Sequence, residues 1–255
     1  MPRIKLTVEY DGTEYVGWQT QLNGPSVQDR LQQALGELLG APIEVLGAGR
    51  TDAGVHALGQ VACFDTDRDL PLTAYSKGLN GLLPRDIAVA RAQQVDPKFD
   101  PRRWATGKRY RYLVSNRPHR SPARRWTHWE VFPVLDVAAM ERASRVLIGR
   151  HDFSAFRAAD CQAKHAVRRL REVEVSGTSG EEVTVVVEGT AFLKHMVRNL
   201  VGSLVEVGKG KHEPQWLGEV LVGRDRAKAG PTAPPQGLTL LEVSYGAGPV
   251  EREGP

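Results

Sequence analysis

The chain has 255 residues, 41% of them hydrophobic and 25% charged, with a net charge of +4. That is enough apolar material for one large or two smaller domains. No apolar run approaches the roughly 20 residues a membrane span needs, and the start, Met1-Pro2-Arg3-Ile4, lacks a signal-peptide core. Cys63 and Cys161, the two cysteines, form no Cys-x-x-Cys pair, which argues against a disulfide framework or cysteine zinc site and suits the cytoplasm.

In chain order, Ile4, Leu6, Val8 and Tyr10 alternate as in a half-buried strand, and Asp11-Gly12-Thr13 reads as a turn. Ser26 followed by Asp29 resembles a capping box for a helix burying Val27, Leu31, Leu35 and Leu38. Strands are predicted at 43–47 and 59–65, a helix at 72–82 stopping before Pro84, and a strand at 86–95. The Pro/Arg-rich stretch 96–103 reads as a connector. Strands at 107–115 and 127–132, a helix at 136–148, and strands at 167–176 and 182–191 follow. Helices at 193–207 and 214–222 and a strand at 238–245 complete the chain. Each half then carries a β-α-β-β-α-β order, which suggests an α+β protein of two ferredoxin-like units. The predicted division is 1–104, 105–246 and a disordered tail at 247–255.

Charge is unevenly placed. Residues 101–125 contain nine Lys/Arg and no Asp or Glu, leaving 25 basic and 30 acidic residues elsewhere. With Trp104, Tyr110, Tyr112 and Trp126 interleaved, this basic segment points to a polyanionic partner. Tyr110 and Tyr112 would share one strand face with Lys108, as ordinary packing or as a platform for stacking bases. Lys194 and Arg198 would share one flank of the helix at 193–207.

The stretch Gly47-Ala48-Gly49-Arg50-Thr51-Asp52-Ala53-Gly54-Val55-His56 places a carboxylate and a cation among three glycines, which leave room for a ligand to approach. It is not a dinucleotide fingerprint, because the sixth position is Asp. The chain has no Walker-A loop, no His-Glu-x-x-His, no Gly-x-Ser-x-Gly and no zinc-deaminase signature. No cofactor or metal is therefore expected. Each residue alone has a plainer explanation: Asp52 as a turn residue, Arg50 as a surface cation, His56 as a structural histidine.

Taken together, Tyr10-Asp11-Gly12, Gly17-Trp18-Gln19, the string from Gly49 to Ala57, Lys108-Arg109-Tyr110-Arg111-Tyr112, His151-Asp152-Phe153 with Phe156, Phe192 to Gly202, and Ala233-Pro234-Pro235 with Gly237-Leu238 resemble the tRNA pseudouridine synthase A family. Gln236 stands where that family usually has a small residue. The resemblance implies the pseudouridine synthase fold, two ferredoxin-like halves sharing a large mixed, mainly antiparallel sheet with a central active-site cleft. It also implies a homodimer that isomerises uridine at positions 38, 39 and 40 of the tRNA anticodon arm, without a cofactor. Asp52 would be the catalytic carboxylate, a nucleophile on sugar or base or else a base at the ribose. Arg50 and Arg198 would assist it. Tyr110 would stack on the flipped base, while Lys108, Arg102, Arg103, Arg124 and Arg125 would hold the RNA. A non-catalytic RNA-binding module, a base-cleaving glycosylase and a purely structural scaffold are the rival readings.

Overall fold

The computed structural model describes residues 1–250 and divides into two compact units, Met1–Thr106 together with the last strand, and Gly107–Leu238. In the first unit β1, Arg3–Tyr10, buries Ile4, Leu6, Val8 and Tyr10 on one face, as its alternation requires. The helix α1, Val27–Leu39, is capped by Ser26, whose hydroxyl oxygen accepts the Asp29 N–H at 3.1 Å. The Asp29 carboxylate accepts the Ser26 hydroxyl proton at 2.6 Å. Leu39 is buried while Leu38 is only half-buried.

The strand expected at 43–47 is reduced to β2, Leu46–Gly47, the only part of that stretch paired, with Cys63 and Ala62 of β3, His56–Asp65. The helix expected at 72–82 is a π-helical turn, Ala74–Gly78, running into α2, Leu79–Leu82. The Asn80 amide brackets Val89 of β4, Ile87–Val95, accepting its N–H and donating to its carbonyl. The unit's strand order is β4–β1–β3, antiparallel.

The last strand, Leu238–Tyr245, was expected to complete the second half. It groups with the first unit and runs parallel to β3, through Thr239 with His56 and Leu240 with Ala57. It can lie this close because position 59 is glycine: a Cβ there would come within 2.3 Å of the Leu241 carbonyl oxygen. The Pro/Arg-rich connector is fastened to the same unit. Arg3 donates to the Phe99 carbonyl and grips Asp65 with two 2.7 Å bonds, while the Tyr245 hydroxyl donates to the Pro101 carbonyl. Of the tail expected to be disordered, the Val250 N–H donates to the Arg103 carbonyl at 3.1 Å. Residues 251–255 lie outside the described residues.

The second unit starts from β5, Ala105–Ser115, with β6, Trp129–Glu130, parallel to its end. The Asn116 side chain holds the chain here, donating to the carbonyls of Val131 and Pro133 and accepting the N–H groups of Leu135 and Gly180. The helix α3, Val137–Ser144, is capped by Asp136. A strand not foreseen, β7, Gly149–Asp152, pairs with β8, Val167–Gly177, which pairs with β9, Glu182–Gly189. The order is β5–β9–β8–β7, antiparallel.

The helix α4, Met196–Gly208, begins three residues later than expected, because His195 takes a left-handed conformation at φ 61°. Lys194 thus falls before the helix and pairs with Asp160 at 2.5 Å rather than sharing a flank with Arg198. The helix α5, Trp216–Gly223, follows, and the last strand is β10. Both units are α+β, and pairing is mixed: β6 on β5 and β10 on β3 are parallel, while β1, β2 and β4 in the first unit and β5, β7, β8 and β9 in the second pair antiparallel. No described helix is long and apolar enough to cross a membrane.

Replacing the cap, Ser26→Ala, leaves the Asp29 N–H without its partner. It is expected to cost about 1 kcal/mol of stability, read as a lower urea midpoint at unchanged slope.

Candidate active site

The loop after β2 is clamped along its backbone. Ala48 N–H donates to the Val61 carbonyl at 2.8 Å, and the Gln60 amide donates to the Gly49 carbonyl at 2.9 Å. Thr51 is turned inward, its hydroxyl 2.8 Å from that of Tyr10 and its carbonyl accepting the Trp18 N–H at 3.2 Å. Burial pushes the Tyr10 hydroxyl up to about 12, so it stays a neutral hydrogen-bonding group. On either side of buried Thr51, Arg50 is exposed and Asp52 half-buried. Beyond them, Val55 N–H closes a turn on the Asp52 carbonyl, and Gly54, at φ 76°, donates to the Tyr15 carbonyl.

Two glycines of the preceding segment permit this clamp. A Cβ on Gly12 would lie 2.1 Å from the Val55 carbonyl oxygen, and one on Gly17 would lie 2.4 Å from that of Thr51. Gly17 also has a φ of 109°, which an L side chain rarely adopts. The loop's own glycines serve similar ends. Gly47 lies under the Trp18 indole, 2.4 Å from its nitrogen for an added Cβ, so its small size makes room for packing rather than for a ligand. These supports, Gly12, Gly17 and Trp18, were visible in sequence as motif letters without a role.

His56 is buried, and its Nδ1 lies 3.1 Å from both the Gly12 nitrogen and an Asp11 carboxylate oxygen. One nitrogen cannot serve both: a lone pair accepts from Gly12, whereas a proton pairs with Asp11. Burial pushes the Asp11 carboxyl up, but the Thr13 hydroxyl and amide together with His56 outweigh it and hold the group below the ordinary aspartate value.

In the second unit Tyr110 lies on β5 opposite Val187, 7% exposed, with its ring edge-to-face with Phe192 at 5.1 Å. Tyr112, two residues on, is fully buried and donates to the Pro234 carbonyl at 2.7 Å. Burial pushes its hydroxyl far above the ordinary tyrosine value, and Arg198 offsets that in part. Arg198 itself is oriented by two bonds to one residue: its Nε donates to the Ala233 carbonyl at 2.7 Å, and Ala233 N–H donates back to the Arg198 carbonyl at 3.1 Å.

That pairing depends on α4 lying against the 229–235 segment. A Cβ on Gly202 would meet the Pro231 carbonyl oxygen at 1.7 Å. Ser203 accepts the Gly230 N–H, and buried Asn199 accepts from Arg226 and Thr232 while donating to the Phe156 carbonyl. Gly237 in turn leaves room for the Tyr112 ring, 2.5 Å from an added Cβ.

The basic residues fare unequally. Arg102 and Arg103 are exposed in the first unit, their N–H groups both donating to the Asp100 carboxylate. Lys108 is half-buried on β5. Arg124 lies 3.0 Å from Glu182, and Arg125 lies over the Trp126 ring at 4.9 Å. Arg109 pairs with Glu172 at 3.2 Å. The basic segment therefore meets acidic partners from β8 and β9 that its own sequence does not contain. Among the described residues, no group of three or more His, Cys, Asp or Glu could hold a metal ion.

The family model described as tRNA pseudouridine synthase matches residues 6–102 and 143–246. The chain belongs to the tRNA pseudouridine synthase family. The "tRNA pseudouridine synthase A" of Myxococcus xanthus is 67% identical over 252 residues, covering 99% of this chain and 95% of that protein. The protein of the same name in Geobacter sulfurreducens is 51% identical over 245 residues, covering 96% of this chain and all of that one. Among solved structures, a Cbf5-Nop10-Gar1 complex is similar over 93% of this chain and 58% of that chain, at 10% identity and a TM-score of 0.38. As a pseudouridine synthase of tRNA, the chain is an isomerase.

Gly12→Ala tests the clamp. The synthase loop must move to admit the Cβ, and displacement of about 1 Å costs on the order of a hundredfold in rate. Pseudouridine formation is expected to fall by that order while the circular dichroism spectrum stays that of the parent. A rate equal to the parent's would show that the contact does not position the loop.

Proposed function

We propose that the chain converts uridine to pseudouridine at positions 38, 39 and 40 of the tRNA anticodon arm, with Asp52 as the essential carboxylate. The observation that carries this reading is the state of Asp52: half-buried beside exposed Arg50, on a backbone fixed from Gly49 to Val55. A preorganised carboxylate of this kind is what nucleophilic attack requires. Identity of 67% to a tRNA pseudouridine synthase A across nearly the whole chain supports the substrate class. The resemblance to that family supports the anticodon-arm positions.

The chemistry is an isomerisation. The bond from N1 of uracil to the ribose C1′ breaks, its electron pair leaving with the base, and C5 then bonds to C1′. The C5 proton is lost and N1 gains one, so composition does not change and no redox step is needed. The target base cannot react while stacked, so it is flipped out at a cost of a few kcal/mol. Tyr110 offsets part of that cost by stacking on it. Arg50 holds the flipped nucleotide, and Arg198, fixed by Ala233, supplies a cation for charge that develops on the substrate. Lys108, Arg102, Arg103, Arg124 and Arg125 contact the phosphates, with Arg124 exchanging Glu182 for RNA. The enzyme uses no cofactor, works in the cytoplasm where tRNA matures, and acts as a homodimer.

Asp52→Asn is expected to bind tRNA with nearly parental affinity and to form no pseudouridine in a mapping assay on unmodified transcript. Product at the parental rate would remove Asp52 from the mechanism. Tyr110→Phe should keep most of the rate, whereas Tyr110→Ala should lose about ten- to a hundredfold, since base–aromatic stacking contributes roughly 1–3 kcal/mol. Equal rates for Tyr110→Ala and the parent would dismiss the stacking role.

A further inference from the structure

We infer that Tyr10 is a positioning residue of the reaction: its hydroxyl, set beside the Gln60 amide, fixes Thr51 and through it the backbone on which Asp52 is presented. The inference rests on the function proposed above and adds two residues behind its carboxylate. Neither touches substrate. Tyr10 is 3% exposed and Gln60 is fully buried, so any effect on the chemistry passes through the loop.

The two side chains come from neighbouring strands. Val8 of β1 lies opposite Gln60 of β3, and Tyr10 lies opposite Ala57, so two steps along one strand face three along the other. A bulge of this kind re-aims the side chain beside it. The Gln60 side chain is within hydrogen-bonding reach of the Tyr10 hydroxyl, and that hydroxyl lies 2.8 Å from the Thr51 hydroxyl. The same Gln60 amide donates to the Gly49 carbonyl at 2.9 Å and accepts the Val61 N–H at 3.1 Å. Two buried side chains thus hold residues 49 and 51, which flank Arg50, and the second directly precedes Asp52.

The partners of these polar atoms set their role. A Phe and a Leu would fill the same positions without burying a hydroxyl and an amide, a cost that is met only where such groups are bonded. Here the bonds go to the loop. The Thr51 carbonyl is taken by the Trp18 N–H, and the Trp18 ring lies against that of Tyr10, with centroids 6.2 Å apart. Thr51 is therefore held at its side chain and at the carbonyl of the peptide that leads to Asp52. Burial pushes the Tyr10 hydroxyl up to about 12, so it stays protonated and keeps its bond to Thr51 across neutral pH.

The test measures single-turnover pseudouridine formation at saturating enzyme, and tRNA affinity separately, for Tyr10→Phe, Thr51→Val and the double variant, with Asp52→Asn alongside. Tyr10→Phe keeps the ring against Trp18 and removes only the hydroxyl. It is expected to lower the saturating rate about tenfold, the order that loss of one buried hydrogen bond gives. The tRNA affinity and the shape of the pH–rate profile are expected to stay parental. Thr51→Val should lose a similar factor, and Thr51→Ser, which keeps the hydroxyl, should retain most of the rate. The double variant should lose no more than either single one, because both remove the same bond. If Tyr10→Phe does not fold, Thr51→Val against Thr51→Ser reads that bond from its other end.

A parental rate for Tyr10→Phe beside an inactive Asp52→Asn would overturn the positioning role alone. A loss confined to tRNA affinity would also overturn it, as would losses that multiply in the double variant. A pH–rate profile missing one limb would replace it with proton transfer by the phenol. Full activity of Asp52→Asn, or a parent that makes no pseudouridine, would overturn the proposed function and this inference with it.

Discussion

The fit of Gly12 and Gly17 against the backbone of residues 51–55 is the constraint on which the shape of the loop carrying Arg50 and Asp52 depends. Both contacts would be under 2.5 Å for any side chain with a Cβ, so two backbone segments lie almost in van der Waals contact. That closeness allows Thr51 to reach Tyr10 and Trp18 and turns the residues on either side of it outward. A carboxylate on a mobile loop would lose preorganisation with each excursion. Here the loop is held from beneath by its backbone.

The second unit solves the same problem with a helix. Gly202 lets α4 approach the 229–235 segment until an added Cβ would be 1.7 Å from the Pro231 carbonyl. Asn199 and Ser203 then satisfy the polar groups this contact buries, as buried donors and acceptors must be. The result is an arginine fixed through its Nε to the Ala233 carbonyl rather than left to search rotamers. In both units glycine works by permitting backbone contact, and a charged side chain is placed from a neighbouring position.

Charge is redistributed by strand pairing. The basic run at 101–125 has no acidic residue of its own. Antiparallel pairing sets Arg109 opposite Glu188, and Glu172 of β8 lies 3.2 Å from it. Arg124 meets Glu182 at 3.0 Å. A partly exposed ion pair contributes little stability and is readily exchanged for a stronger anion. The paired arginines are thus restrained at little gain in stability.

Much of the architecture was legible in the sequence because period-2 alternation and caps are local signals. The alternation from Ile4 to Tyr10 and the Ser26–Asp29 cap gave β1 and α1, and the conjunction of motifs gave the family. Elements set by partners were not legible. The polar tetrapeptide Gly149–Asp152 is a strand only because β8 runs beside it, and residues 43–45 are not one because β3 pairs only from Leu46 onward. The α4 start was misjudged because the positive φ at His195 leaves no trace in hydrophobic periodicity. What the sequence by itself determined was the inventory of chemistry: one loop carboxylate with its arginine, a strand tyrosine, a helix arginine and a basic run. Only the tertiary structure decided the roles of Gly12, Gly17, Gly47 and Gly202 and the placing of β10 on β3. Each of these depends on which distant segment lies against it, and contact at that range is not encoded by the residues adjacent in the chain.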